Sequence, residues 1–147
     1  MPHAIRPACL ADAEYLAAID AEVSFNPWNA QQFALVCSTT GGYGETALVA
    51  VEDDRLLGFV VFSQVLDEGS IHNIAVHPAH HRMGVGRMLL AAAVVEMIRA
   101  DARRCLLEVR RSNKAARRLY EGSGFALDGV RKHYCPKVDG GEDALLM

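Results

Sequence analysis

Apolar and polar positions alternate between two periods along this chain, and that switching predicts its elements. Ala4 to Arg6 suits a short first strand. From Asp12 to Val23, Leu16, Ile19 and Val23 recur at helical spacing and mark one face of a helix. A turn follows at Asn26-Pro27-Trp28. Asn29 then resembles a helix N-cap, with Gln32 three residues on as its reciprocal partner, and the helix continues through Phe33 and Val36. Ser38 to Gly44 carries three glycines and reads as a connection. Thr46 to Val51 and Leu57 to Val65 are β-rich runs joined through Asp53-Asp54, a hairpin signal, and Ser70 to Val76 is the next strand. The run from Gly84 to Arg99 is an amphipathic helix in which Leu90, Val94, Met97 and Ile98 share a face. Cys105 to Val109 predicts a strand, Asn113 to Glu121 a short helix, and Phe125 to Tyr134 and Asp143 to Leu146 the closing strands. No repeat or low-complexity linker divides the chain, so 1–147 is expected to be a single domain. The order of elements implies a mixed α/β sheet with helices packed on it.

Composition narrows the classes. At 147 residues and 51% hydrophobic, the chain can bury one substantial core. A net charge of −3 argues against a nucleic-acid binder driven by bulk electrostatics. No apolar run is long enough to span a membrane, and the N-terminus lacks the pattern of a secretory signal. The cysteines at 9, 37, 105 and 135 form no Cys-x-x-Cys pair. Free thiols in a reducing cytoplasm are therefore expected. His77-Pro78-Ala79-His80-His81 has no second ligand cluster, so a solvated turn is the expectation and no metal is implied.

Candidate chemistry lies in the second half. His81-Arg82-Met83-Gly84-Val85-Gly86-Arg87 follows a strand and opens a helix. Two glycines there let backbone approach a ligand, and the unpartnered first N–H groups of a helix attract an anion. Arg82 and Arg87 add charge beside it. The P-loop pattern fails for want of Lys-Ser or Lys-Thr, and the dinucleotide fingerprint fails for want of a third glycine. An ordinary strand-to-helix turn explains the motif equally well. Glu108 sits inside a run expected to be a central strand, where a carboxylate needs a partner or a role. Asn113, Ala116, Arg117 and Tyr120 share one helix face, and taken alone Tyr120 reads as a tyrosine at the edge of the core.

Taken together, Asn73-Ile74-Ala75-Val76-His77-Pro78, the loop Arg82 to Arg87, Leu107-Glu108-Val109-Arg110, Asn113-Lys114-Ala115-Ala116 and Leu119-Tyr120-Glu121-Gly122-Ser123-Gly124-Phe125 resemble the GNAT acetyltransferase superfamily. Phe25-Asn26-Pro27-Trp28 and the tail from Tyr134-Cys135-Pro136 to Ala144 resemble, more narrowly, its bacterial subfamily that acetylates the N-terminal alanine of a ribosomal protein. The resemblance covers nearly the whole chain. It implies a mostly antiparallel seven-stranded sheet, splayed at its centre, with acetyl-CoA in the opening. Ile74, Ala75 and Val76 would offer backbone to the acetyl and pantetheine portions. Arg82, Met83, Gly84, Val85, Gly86 and Arg87 would hold the pyrophosphate, and Asn113 the pantetheine arm. Glu108 would be the general base, Tyr120 the general acid, and Tyr134 a contact to the acceptor. The implied partner is a protein N-terminus, that of a small-subunit ribosomal protein, with no direct nucleic acid and no membrane.

Two positions depart from the family pattern. His81 replaces the Gln or Arg that opens the phosphate loop, and Tyr134-Cys135 replaces a pair of tyrosines. The second departure keeps open an acetyltransferase for lysine or a small amine. A non-catalytic acyl-CoA-binding module is a further alternative, disfavoured by the presence of both Glu108 and Tyr120. An α-amine is roughly 10–20% neutral at pH 7 and a lysine under ~0.1%, so a single carboxylate base suits an α-amine better.

Overall fold

The computed structural model describes residues 4–23, 27–37, 45–80, 84–110, 114–124, 129–135 and 142–146. These carry strands β1 (Ala4–Pro7), β2 (Glu45–Glu52), β3 (Arg55–Val65), β4 (Glu68–Val76), β5 (Arg104–Arg110), β6 (Gly129–Cys135) and β7 (Glu142–Leu146). The helices are α1 (Ala13–Val23), α2 (Ala30–Cys37), α3 (Val85–Arg99) and α4 (Lys114–Gly122). Each element lies within a few residues of its expected place. The chain divides into two compact units, Met1–Cys105 and Leu106–Met147. Among the described residues no helix is long and apolar enough to cross a membrane.

In the first unit β1, β2, β3 and β4 pair in order, each antiparallel to the next. The β2–β3 hairpin turns at Asp53 and Asp54, whose φ values of 49° and 65° match the twist of a tight hairpin. The α2 start is a closed capping box. The Asn29 N–H donates to Gln32 Oε1 at 2.8 Å, and the Gln32 N–H donates to Asn29 Oδ1 at 2.9 Å. Helices α1 and α2 cover one sheet face through Leu16, Ile19, Phe33 and Val36 against Val49, Phe59, Val61 and Ala75. Phe33 lies between Trp28 and Phe59, with centroids 5.4 and 5.0 Å away.

Helix α3 covers the opposite face. Its buried stripe is Val85, Leu89, Leu90, Ala93 and Met97. Here the expected face requires correction: Leu90 and Met97 are buried, but Ile98 is 62% exposed. A run so rich in apolar residues supports more than one phase, and packing on the sheet selects among them. Val23, expected on the buried face of α1, is likewise exposed at the helix end. That helix also starts one residue later than expected, because Asp12 closes a short 3-10 turn over Leu10–Asp12 instead. The Arg6 guanidinium donates to both Asp12 carboxylate oxygens at 2.9 and 3.1 Å, and the Cys9 N–H donates to Oδ2 at 2.8 Å. These bonds, the Arg6 pair foremost, hold the Asp12 carboxyl below its usual pKa.

Gly58 marks a close approach of β3, β4 and α3. A Cβ there would lie 2.6 Å from the Ala75 carbonyl oxygen, 3.1 Å from Val76 Cα and 3.2 Å from Leu89 Cδ1. Two of those three atoms are backbone of β4, which cannot move aside as a side-chain tip can. Gly58→Ala is therefore expected to destabilise the fold by about 1–3 kcal/mol, read as a lower urea midpoint at unchanged slope.

In the second unit β5 and β6 both pair antiparallel with β7, which lies between them. Glu108 stands opposite Leu146, and Gly129 is also opposite Leu146 on the other side. Leu107 is buried.

Candidate active site

Strand β4 places the first predicted group. Gly69 and Ile71 face α3, since a Cβ on Gly69 would meet Met97 and Ile71 pairs with Phe62. Strict alternation would send Asn73 and Ala75 the same way. A β-bulge prevents this: Val61 pairs with Asn73 and Phe62 with Ile71, so His72 is the extra residue. Beyond it the strand changes phase. Ala75 packs into the α1–α2 core, opposite Phe59, while Ile74 and Val76 are half-buried. The Asn73 amide turns towards α1, where it donates to Asp20 Oδ2 at 2.9 Å.

The phosphate loop leads from β4 into α3. Arg82 and Met83, with His81, lie outside the described residues. Gly84 is the N-cap of α3 at φ 79° and ψ 7°, a left-handed conformation that glycine adopts without a Cβ penalty. A Cβ at Gly84 would meet nothing within 4 Å, so its backbone conformation, and not crowding, explains glycine here. The left-handed conformation is a reason for glycine beside the expected one, close approach of a ligand. The Met88 N–H donates to the Gly84 carbonyl at 3.0 Å, closing the first turn. The N–H groups of Val85, Gly86 and Arg87 precede that closure and have no partner within the helix. Val85 is 1% exposed, so it anchors the turn in the core. Arg87 is exposed, and no acidic residue lies in the first turn. An open, positive helix start suits a phosphate group.

The second unit carries the candidate proton-transfer residues. Tyr120 lies on α4 and is only 5% exposed. Burial pushes its phenol well above the ordinary tyrosine pKa. Glu108 lies on β5 and Tyr134 on β6, but their side chains fall outside what the structure describes, and Asn113 lies outside the described residues altogether. No group of three or more potential metal ligands occurs among the described residues.

Cys9, Cys37 and Cys105 are free thiols, as expected, while the Cys135 side chain is not among those described. Burial raises the Cys37 and Cys105 pKa values to about 11. At pH 8 a thiol of that pKa is about 0.1% thiolate, and the thiolate is the reactive form. Iodoacetamide at pH 8 is expected to label exposed Cys9 before Cys37 and Cys105, as read by peptide mass mapping.

Two features escaped the pattern of residues. Asp20 is completely buried, yet it sits at helical spacing from Leu16 on the apolar face of α1. An acid on an apolar stripe was the available signal. The bulge at His72 left none.

A strand, a bulge and a glycine-capped helix start, with helices on both faces of the first unit's sheet, define an α/β fold whose α3 start suits an anion. The Acetyltransferase (GNAT) family matches residues 13–125. The chain belongs to that family. It is 40% identical over 123 residues to the [ribosomal protein bS18]-alanine N-acetyltransferase of Salmonella typhimurium, covering 82% of this chain and 79% of the relative. The Haemophilus influenzae enzyme of the same name is 34% identical over 137 residues, covering 92% and 90%. The crystal structure of the Escherichia coli ribosomal-protein-S18-alanine N-acetyltransferase superposes with a TM-score of 0.88 at 32% identity, covering 99% of this chain and 92% of that one.

Proposed function

We propose that this chain transfers the acetyl group of acetyl-CoA to the N-terminal α-amine, an alanine, of the small-subunit ribosomal protein bS18. The observation that carries this reading is the identity to transferases of that name across most of the chain. A single acetyltransferase domain over 1–147 is part of the proposal, supported by a family match that runs through both compact units. So are the centrally splayed sheet implied by the sequence motifs and action in the cytoplasm, where ribosomal proteins are made.

The chemistry assigns each residue a task. Backbone groups of Ile74, Ala75 and Val76 align the acetyl thioester, and an N–H near Ala75 or Val76 stabilises the oxyanion as the amine nitrogen bonds to the carbonyl carbon. Arg82, Met83, Gly84, Val85, Gly86 and Arg87 hold the pyrophosphate, chiefly through backbone N–H groups, so His81 at the loop's first position leaves the cradle working. Asn113 holds the pantetheine arm. Glu108 takes the proton released by the attacking amine, and Tyr120 assists the sulfur as the carbon–sulfur bond breaks. Tyr134 lies against the acceptor's first residues.

A peptide with a free N-terminal alanine and one internal lysine, offered with acetyl-CoA and read by fragment mass spectrometry, tests the reading. Acetate on the α-amine is the expected result. Acetate on lysine alone overturns the acceptor assignment, and binding of acetyl-CoA without any product overturns the catalytic one.

A further inference from the structure

Asp20 is a carboxylate with 0% exposure on α1, the helix whose Leu16 and Ile19 enter the core. Burying a charge there is costly unless it is hydrogen-bonded. Its Oδ2 accepts two hydrogen bonds, from the Trp28 N–H at 2.9 Å and from the Asn73 amide at 2.9 Å. One atom thereby ties three separate parts of the first unit: α1, the segment leading into α2, and β4. The tie to β4 falls one residue after the bulge at His72 and one residue before Ile74.

That placement has a geometric consequence. Side chains in a strand alternate, so losing the bulge and pairing on past Ile71 without the extra residue would shift the register by one and reverse the faces of every later residue of β4. Ala75 would leave its place opposite Phe59, and the amide and carbonyl directions of Ile74–Val76 would reverse with it. Packing of Ala75 alone discriminates weakly, because its side chain is a single methyl. A half-buried amide held to a fully buried carboxylate discriminates more strongly, since the slipped register leaves the carboxylate without that donor.

We propose that Asp20 is a positioning residue for acetyl transfer: through Asn73 it fixes the phase of β4 beyond the bulge, and so aims the Ile74–Val76 backbone at the acetyl donor. This rests on the proposed function, in which that backbone aligns the thioester. Asp20 touches no reacting atom in this account.

A reciprocal exchange tests it. Asn73→Asp sets two carboxylates against each other, and is expected to lower kcat/KM for acetyl-CoA, per folded molecule, by about tenfold to a hundredfold, the scale of a small misplacement of reacting groups. Adding Asp20→Asn to Asn73→Asp restores one donor and one acceptor, and is expected to recover most of that loss. Should Asn73→Asp fail to fold, Asn73→Ala removes the donor without adding charge and is read in the same way. A lowered Tm with wild-type kcat and KM in the folded protein would make Asp20 purely structural and overturn the inference. So would an exchange variant as impaired as the single one. If the wild type binds acetyl-CoA calorimetrically but acetylates no peptide, the functional reading fails. The inference is then judged on acetyl-CoA affinity in the same variants. A wild type that does not bind acetyl-CoA overturns both.

Discussion

Glu108→Gln is expected to lower the rate of α-amine acetylation at pH 7 by about 10²–10⁴-fold, the usual worth of a positioned general base. The loss should fall in kcat, because the proposed role of Glu108 is to receive a proton during the reaction and not to bind the donor. Its dependence on pH identifies the role. At pH 7 roughly 80–90% of an α-amine with pKa near 7.7–8.0 carries the extra proton. Above that pKa the amine arrives free and needs less help before attack. The ratio of wild-type to Glu108→Gln rates should therefore shrink between pH 7 and pH 9, while calorimetric affinity for acetyl-CoA stays level. A ratio constant across that range would assign the loss to altered geometry and remove the base role.

Tyr120→Phe carries the second large effect, about tenfold to a hundredfold in kcat with little change in donor affinity. The environment of Tyr120 constrains how it acts. Burial raises its phenol pKa far above the ~8.5 of an ordinary thiol. Full proton transfer from such a phenol to a departing thiolate is uphill. Tyr120 in this setting steadies the sulfur by a hydrogen bond as negative charge gathers there, and releases its proton only if the incoming charges lower its pKa. Two outcomes follow for the pH profile. Tyr120 remains protonated through pH 10, so the wild-type rate should show no alkaline decline from tyrosine ionisation. The Tyr120→Phe rate should parallel the wild type at every pH, displaced downwards by a constant factor. An alkaline limb near pH 10 that vanishes in Tyr120→Phe would show instead that the phenol ionises freely, and that its burial is relieved during turnover.

The two effects differ in what the fold already explains. Tyr120 is placed by the core: a residue 5% exposed on α4 serves packing whether or not it serves chemistry. Phenylalanine preserves that packing, which makes the substitution a clean probe of the hydroxyl. Glu108 is placed by a strand register, opposite Leu146 on β7. Its backbone address is secure even where its task is a proposal.

Much of this molecule is legible in local pattern. The Asn29–Gln32 cap, the Asp53-Asp54 hairpin and the glycine that opens α3 depend on neighbours within a few residues, and each could be read from spacing alone. Side-chain pattern located the strands and helices among the described residues for the same reason: an element's own side chains decide its period. Family motifs in order along the chain were enough to identify an acetyltransferase. Tertiary structure decided what depends on partners distant in sequence. It selected Leu89 and Ala93 over Ile98 as part of the buried face of α3, since a helix so rich in apolar residues offers more than one phase until a sheet selects one. It explained Gly58, whose neighbours Ala75, Val76 and Leu89 are brought to it only by folding. It placed the bulge at His72, which no residue type announces, and it buried Asp20 beside Asn73, 53 positions away. Local hydrogen bonds and side-chain period are properties of a short segment. Burial, register and the direction in which a strand presents its backbone are properties of two segments meeting, and those aim the groups proposed to hold the acetyl donor.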